Sequence, residues 1–405
     1  MKVAYRYIAC ILLGGYLLGC DTESNIEPRD DDFFVKYYGS SGNQFGEEVK
    51  VLADGYVIIG SSDSSGVNSD IYIVRTDLLG NELWSNTFGR EANDFGKAIA
   101  EISTGFVMVG NSENEFGNMD ILVITVNGEG QETNRTVLGD PDFNDEAEDI
   151  IITQAGNILM AGSSSNVSET VVAGGGTFDF YCPQLLPDLS PVPNWIGRHG
   201  FEGEDKAIGV QQKEDDGNFI FLGTTDKNEP EGSDKAQTNM MMIEVSGNDI
   251  GLQDITFGTA DQEVASEIST TSDGGFLFIG STTSSENTSQ VFISRVRQDI
   301  SVLGGFIKIN RDNVKGKSIY ESQGGGSIVV GDIDTPTGTD IYMTRISNNG
   351  EIIWERTFGN SGDNTAGDII QLEDGSFIFT GTVTLDNQSK ICLIKTNSNG
   401  DLSPI

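Results

Sequence analysis

Seven short apolar runs, each ending in glycine, recur along the chain. They are YVIIG at Gly60, FVMVG at Gly110, ILMAG at Gly162, FIFLG at Gly223, FLFIG at Gly280, SIVVG at Gly331 and FIFTG at Gly381. The glycines stand 50 to 61 residues apart. A period of that length leaves few architectures, because each unit must be a supersecondary element that buries its faces on its neighbours. The order within a unit is constant. A half-polar run such as GKAIAEIS comes first, followed by a turn that is often Asp-Gly (54–55, 216–217, 273–274, 374–375) and then the marker run. Next come a Ser/Thr-rich loop, a run opening near Asp (DIYIVRT at 70, DILVITV at 120, DIYMTRI at 340), a second turn, and a run ending in Phe-Gly (WSNTFG at 84, WERTFG at 354). Period-two alternation, β-branched and aromatic enrichment and Asp-Gly or Asn-Gly turns predict four antiparallel strands joined by hairpins. Seven such units predict an all-β, seven-bladed β-propeller with four-stranded blades.

A ring must close. The last unit ends in NSNGDLSPI without a fourth strand, while FVKYYG at 34–39 precedes the first unit as an orphan. Phe34 stands at the Trp position of that strand and Tyr38 at its Phe position, so the N-terminal strand is expected to close the last blade from outside. That arrangement removes the free sheet edges and makes residues 33–405 one domain.

Residues 1–19 combine Lys2 and Arg6 with an apolar run, Tyr7 to Leu18, too short to span a bilayer comfortably. The segment ends in Leu17-Leu18-Gly19-Cys20, which resembles the lipobox of bacterial lipoproteins. That resemblance implies a signal peptide over 1–19, lipidation of Cys20 and stable anchoring through its acyl chains. Residues 20–32 then read as a flexible acidic tether. An acidic run just after the lipidated Cys resembles the export signals of some surface lipoproteins, which implies an outer-membrane, surface-facing location. Asp21 resembles instead an inner-membrane retention cue of other bacteria. The repeat itself, with Asp-Gly-Gly-Phe, Gly-Ser/Thr, Asp-x-Tyr, Asn-Gly and Trp…Phe-Gly in order, resembles the propeller repeats common in bacterial surface lipoproteins and secreted proteins. It is specific for fold and nearly silent on activity.

The formal net charge is −38, so nucleic acid and anionic lipid are repelled, and the membrane is expected to be reached only through the lipid. The partners expected are a protein or a glycan at the envelope, bound by a monomeric propeller.

Repetition also separates scaffold from site. Trp84, Trp195 and Trp354 all precede the Gly of the fourth strand by five residues, which marks them as blade-packing groups. The single histidine, His199, takes the place of Phe88, Phe257 and Phe358 and reads as a polar substitute in an outer strand. With His199 read as scaffold and no other histidine, Ser–His–Asp and Cys–His catalysis and His-rich zinc sites are not expected. Cys182 and Cys392 fall on third strands well separated around the ring, beyond disulfide reach, and are expected free.

Connections from fourth to first strands and from second to third strands share one face, and that face is acidic. Asp94, Asp145 and Asp205 recur at one position, with Gln44 and Asn364 in other units, as turn caps would. The candidate ligand-binding set on this face is Asp140, Asp142, Asp145, Glu146, Glu202, Glu204 and Asp205. Calcium favours hard oxygen ligands, and its candidate ligands are Asp142 and Asp145 together with Glu48, Asp149 and Asp368, which share a first-strand position near the central channel. Units three and four depart most from the repeat, with long loops over 163–178 and 224–238 on the acidic face. Unit three also carries PQLLPDLSPVP at 183–193 on the opposite face.

No Walker A, G-x-S-x-G, H-E-x-x-H or C-x-x-C motif occurs. The reading is a lipid-anchored, non-catalytic binding or scaffold module without an obligatory cofactor. The alternatives are a Ca²⁺-assisted hydrolase or lyase using channel carboxylates, and an accessory of outer-membrane assembly by analogy with the propeller lipoprotein of the barrel assembly machine.

Overall fold

The computed structural model describes residues 33–63, 66, 68–166, 177–201, 203–226, 238–359 and 362–402. The structure is all-β: seven antiparallel sheets follow one another along the chain. Blade 1 spans Gln44–Phe88, blade 2 Asp94–Leu138, blade 3 Asp145–His199, blade 4 Asp205–Phe257, blade 5 Gln262–Lys308 and blade 6 Val314–Phe358. Blade 7 is built from Thr365–Gln371, Phe377–Leu385, Gln388–Thr396 and, outermost, Phe34–Tyr38. Phe34 pairs with Lys395 and Tyr38 with Ile391, so the N-terminal strand lies antiparallel on the last strand of the chain. The first strand of each blade touches those of its neighbours, including blade 7 against blade 1, and the ring is complete.

Seven hydrophobic clusters hold the ring, each shared by two adjacent blades. Second and third strands are nearly continuous apolar runs because both of their faces are covered. The tryptophans tie blade to blade as expected. Trp84 meets Phe106 at 6.5 Å between ring centroids, Trp195 meets Phe219 at 5.6 Å, and Trp354 meets Phe377 at 6.1 Å. Each partner is an aromatic on the second strand of the next blade.

The marker glycine has one physical cause in all seven blades. The first strand bulges opposite it, between Gly46 and Glu48, Gly96 and Ala98, Ala147 and Asp149, Ala207 and Gly209, Ala265 and Glu267, Gly316 and Ser318, and Ala366 and Ile369. The bulge drives a first-strand carbonyl against the marker. A Cβ at Gly60 would lie 1.8 Å from the Phe45 oxygen, and at Gly162 2.0 Å from that of Glu146. The other five meet the equivalent carbonyl at 2.1 to 2.4 Å. Only glycine fits such a close backbone approach.

Blade 3 differs from its expected pattern. The third strand breaks after Tyr181, and Gln184–Leu185 returns to pair with Leu159 and Ile158. The fourth strand shrinks to Arg198–His199. Trp195 therefore stands before that strand, in a turned segment where its indole N–H donates to the Cys182 carbonyl at 2.8 Å. Cys182 and Cys392 are both free and buried.

Candidate functional site

A β-bulge turns two consecutive side chains toward the same side of a strand. On the innermost strands that side is the axis of the ring, so each blade contributes a pair of residues to the channel. The first members form an outer ring: Glu47, Lys97, Glu148, Ile208, Ser266, Lys317 and Gly367. The second members form an inner ring: Glu48, Ala98, Asp149, Gly209, Glu267, Ser318 and Asp368. Together with Lys50, two residues further along its strand, they enclose a cavity of about 490 Å³.

The inner ring is a set of clasps. Glu48 accepts the backbone N–H of Ile99 at 2.7 Å, Asp149 that of Val210 at 2.9 Å, and Glu267 that of Ile319 at 2.7 Å. The Ser318 hydroxyl accepts from Ile369 at 3.1 Å and Asp368 from Val49 at 3.4 Å. In every case the donor is the residue just past the ring position on the next blade. Blade 2 offers only Ala98, and there the Ile150 N–H turns to the carboxylate of its own neighbour Asp149 at 2.7 Å. Ser318 additionally donates to Asp368 at 2.9 Å. Glu48, Asp149 and Asp368 thus do meet at the channel, as their spacing suggested, and Glu267 completes a set that the sequence reading left at three.

Crowding of carboxylates in a partly desolvated channel shifts their protonation. Enclosure and the charge of Glu48 push Asp149 up to about 7, against the pull of Lys50 and two backbone amides. Enclosure also raises Asp368 to about 6, with Lys50 opposing and Glu48 adding to the rise. Glu267 is raised by enclosure and by Asp368. Enclosure alone would lower Lys50, but Glu48, Asp368 and Asp149 outweigh it and hold the ammonium charged; it pairs with Glu48.

The outer ring is engaged differently. Lys97 pairs with Glu148 at 2.9 Å. Glu47 has no hydrogen bond or ion pair among the described residues. One step nearer the face where the first strands begin, the blades carry Phe45, Phe95, Glu146, Lys206, Val264, Lys315 and Thr365 in turn. Phe45 is 41% exposed. A second depression of about 370 Å³ lies over blades 1 to 3, walled by Phe45, Phe95, Met119, Glu47, Glu146, Glu148, Lys97, Ser61 and Asn111. It shares Glu47, Lys97 and Glu148 with the channel, so the two adjoin.

The candidates on the acidic face separate into scaffold and surface. Asp145 and Asp205 are fully buried, and their carboxylates cap the preceding loops by accepting the N–H of Asp140 at 2.8 Å and of Phe201 at 2.7 Å. Asp94 does the same for Arg90 at 2.5 Å. These positions are turn caps with no face offered to a ligand, because the repeat reuses them at blade junctions. Junction chemistry varies. Between blades 6 and 7 the Asn364 amide donates to Asp340 at 3.0 Å. Between blades 1 and 2 the same geometry brings together two carboxyls, Asp70 and Asp94, both raised by burial first and, for Asp70, by Asp94 as well. Asp140 accepts the Asp142 N–H at 3.1 Å and Asp142 is exposed. Glu204 is exposed and pairs with Lys206 at 2.8 Å, while Glu146 lines the second depression. Asp142 and Asp145 belong to a blade junction and Glu48, Asp149 and Asp368 to the channel, so the calcium candidates form two separate groups. Among the described residues no three Asp, Glu, His or Cys side chains gather as metal ligands would. Cys20, Glu202 and most of both long loops, 167–176 and 227–237, lie outside the described residues.

His199 is bound to the scaffold. Its Nε2 meets Asp249 at 3.0 Å, and the other Asp249 oxygen accepts the N–H groups of Ile196 and Gly197 at 2.6 and 2.9 Å. Burial would raise Asp249, but His199 and these amides hold it below the usual range. The pair pins the shortened outer strand of blade 3 to a turn of blade 4.

No protein-family model matches the sequence, and no curated protein matches it. Several solved structures share its fold. An ulvan lyase, described as a new family of polysaccharide lyase, aligns with a TM-score of 0.57 at 9% identity, over 91% of this chain and 98% of its own. The periplasmic gluconolactonase of Pseudomonas aeruginosa aligns at 0.50 and 11% identity, over 77% of this chain and 84% of its own. A puromycin hydrolase aligns at 0.50 and 11% identity over 85% of this chain, which spans half of that enzyme. At such identities the likeness is one of fold: this chain is a seven-bladed β-propeller.

Proposed function

We propose that the protein is a non-catalytic binding module of the cell envelope, held by lipid on Cys20, whose ligand-bearing surface is the face onto which the channel opens beside Phe45 and Phe95. One observation carries this reading. The inner carboxylates are occupied in joining blade to blade, whereas the aromatic shelf stands just outside them, with Glu47 and Glu146, on an adjoining depression. Chemistry at the channel floor would break the clasps; recognition at its mouth leaves them intact. The test is photo-crosslinking in intact cells, with the reactive residue placed at Asp142 or Phe116 on this face, or at Ile353 on the outer rim. Discrete adducts from the face positions alone support the reading; their absence, or equal yield from the rim, removes it. Metabolic labelling with palmitate tests the anchor, which requires label on the wild type and none on Cys20→Ala.

A second reading, a hydrolase or lyase, draws on Asp149. A carboxyl pushed up to about 7 inside a cavity suits general acid–base work near neutral pH. It requires turnover that Asp149→Asn abolishes while the fold survives, and a Ca²⁺-dependent melting shift if a metal assists.

A further inference from the structure

We propose that the depression over blades 1 to 3 binds an organic ammonium group, seated on Phe45 and Phe95 and neutralised by Glu47 and Glu146. The proposal names the ligand class for the binding face and rests on that reading.

Three features of the walls carry it. The first is an aromatic pair without a packing reason. Phe45 and Phe95 occupy equivalent positions on adjacent blades, where the other five carry Glu146, Lys206, Val264, Lys315 and Thr365. Phe45 leaves 41% of its surface in solvent, so the scaffold does not need the ring for its core. The second is the charge balance. Three acids and one lysine line the depression, and the Lys97 ammonium lies on Glu148 at 2.9 Å. Glu47 and Glu146 then remain as two carboxylates with no hydrogen bond or ion pair among the described residues, drawn only at longer range to Lys97 and, for Glu47, Lys317. The third is size. About 370 Å³ accommodates a quaternary ammonium headgroup or the end of a lysine side chain, and the shared wall with the channel leaves room for the rest of the molecule.

The chemistry discriminates among ligands. An aromatic face attracts a cation through its quadrupole, by about 0.5 to 2 kcal/mol depending on desolvation, and the carboxylates add charge that a partly enclosed site screens weakly. A hard metal ion gains little from phenyl rings and wants six or more oxygens. A neutral sugar could stack on the rings but leaves both carboxylates uncompensated. An anionic glycan is repelled by them.

The test uses the full chain in neutral detergent, titrated with choline chloride and with butylammonium chloride and followed by calorimetry and melting temperature. Controls are sodium and calcium chloride at matched ionic strength, and glucose. Saturable binding of both organic cations is expected. Phe45→Ala, Phe95→Ala and the double change Glu47→Gln with Glu146→Gln should each weaken it at least about tenfold, which is 1.4 kcal/mol at 25 °C, without lowering the melting temperature. Because Phe95 is partly buried, Phe95→Leu serves as a second variant that removes the ring and keeps the volume. No saturable binding, an equal response to sodium or calcium, or stronger binding of glucose overturns the proposal. Crosslinks on the face that persist when organic cations fail to bind would mean that the face is right and the ligand class wrong.

Discussion

Glu47 and Glu48 are neighbours in sequence, point into the same channel, and have different roles. Glu48 accepts an amide from the next blade and holds Lys50; Glu47 makes no hydrogen bond or ion pair among the described residues. The same contrast recurs in part around the ring: five inner positions clasp the next blade, whereas on the outer ring Lys97 and Glu148 pair across blades 2 and 3. A bulge makes this division possible, because it presents two side chains where a regular strand presents one. A propeller can therefore change its ligand at the outer position without loosening its closure at the inner one.

The contrast breaks most severely at its origin. Gly60→Ala drives a Cβ into the Phe45 carbonyl and should cost about 3 kcal/mol, read as a drop in urea midpoint; an unchanged midpoint would show that the bulge is not required. Next, Glu48→Ala leaves the Ile99 N–H without its acceptor, removes the ion pair to Lys50 and should cost about 2 kcal/mol, whereas Glu47→Ala should stay within about 0.5 kcal/mol. Equal losses in the two variants would erase the distinction between the rings. A subtler effect is pH dependence. Asp149 is raised in the folded state, from about 3.9 in an unfolded chain to about 7. The folded form thus binds the extra proton, and the stability linked to this group is full below about pH 4 and lost as pH rises toward 7. Asp149→Asn, which keeps an acceptor for Val210, should remove that slope from melting temperatures measured between pH 4.5 and 7.5; parallel profiles would contradict it. The smallest effect is expected at a junction. Asp94→Asn gives blades 1 and 2 the acid–amide pairing that blades 6 and 7 already have, and should change stability at pH 7 by no more than about 1 kcal/mol, upward.

The fold was largely legible because the bulge imposes glycine at one place in every unit, and a forced glycine at a fixed interval survives as a pattern. Glu48, Asp149 and Asp368 were legible for the same reason, standing 12 or 13 residues before their marker glycines. Glu267 stands 13 before Gly280 and carried the same signal. Phe45 and Phe95 were harder to find, since an aromatic in an alternating strand looks like core until burial shows one of them in solvent. Asp145 and Asp205 were found as a repeated position, and their repetition already pointed to caps, a role that fits their burial and the loop N–H groups they accept. In blade 3 the proline-rich insertion removed most of a strand that periodicity alone assigned.

One feature of the closure has a mechanical meaning. Any load carried by the chain before residue 33 reaches the ring through Phe34–Tyr38, which runs antiparallel to Gln388–Thr396 with its N-terminal end beside Lys395. Traction directed along the strand would stress all five paired positions together in shear, whereas traction across it would unzip them from Phe34. The same five residues that complete the blade form the joint through which any such load enters the ring.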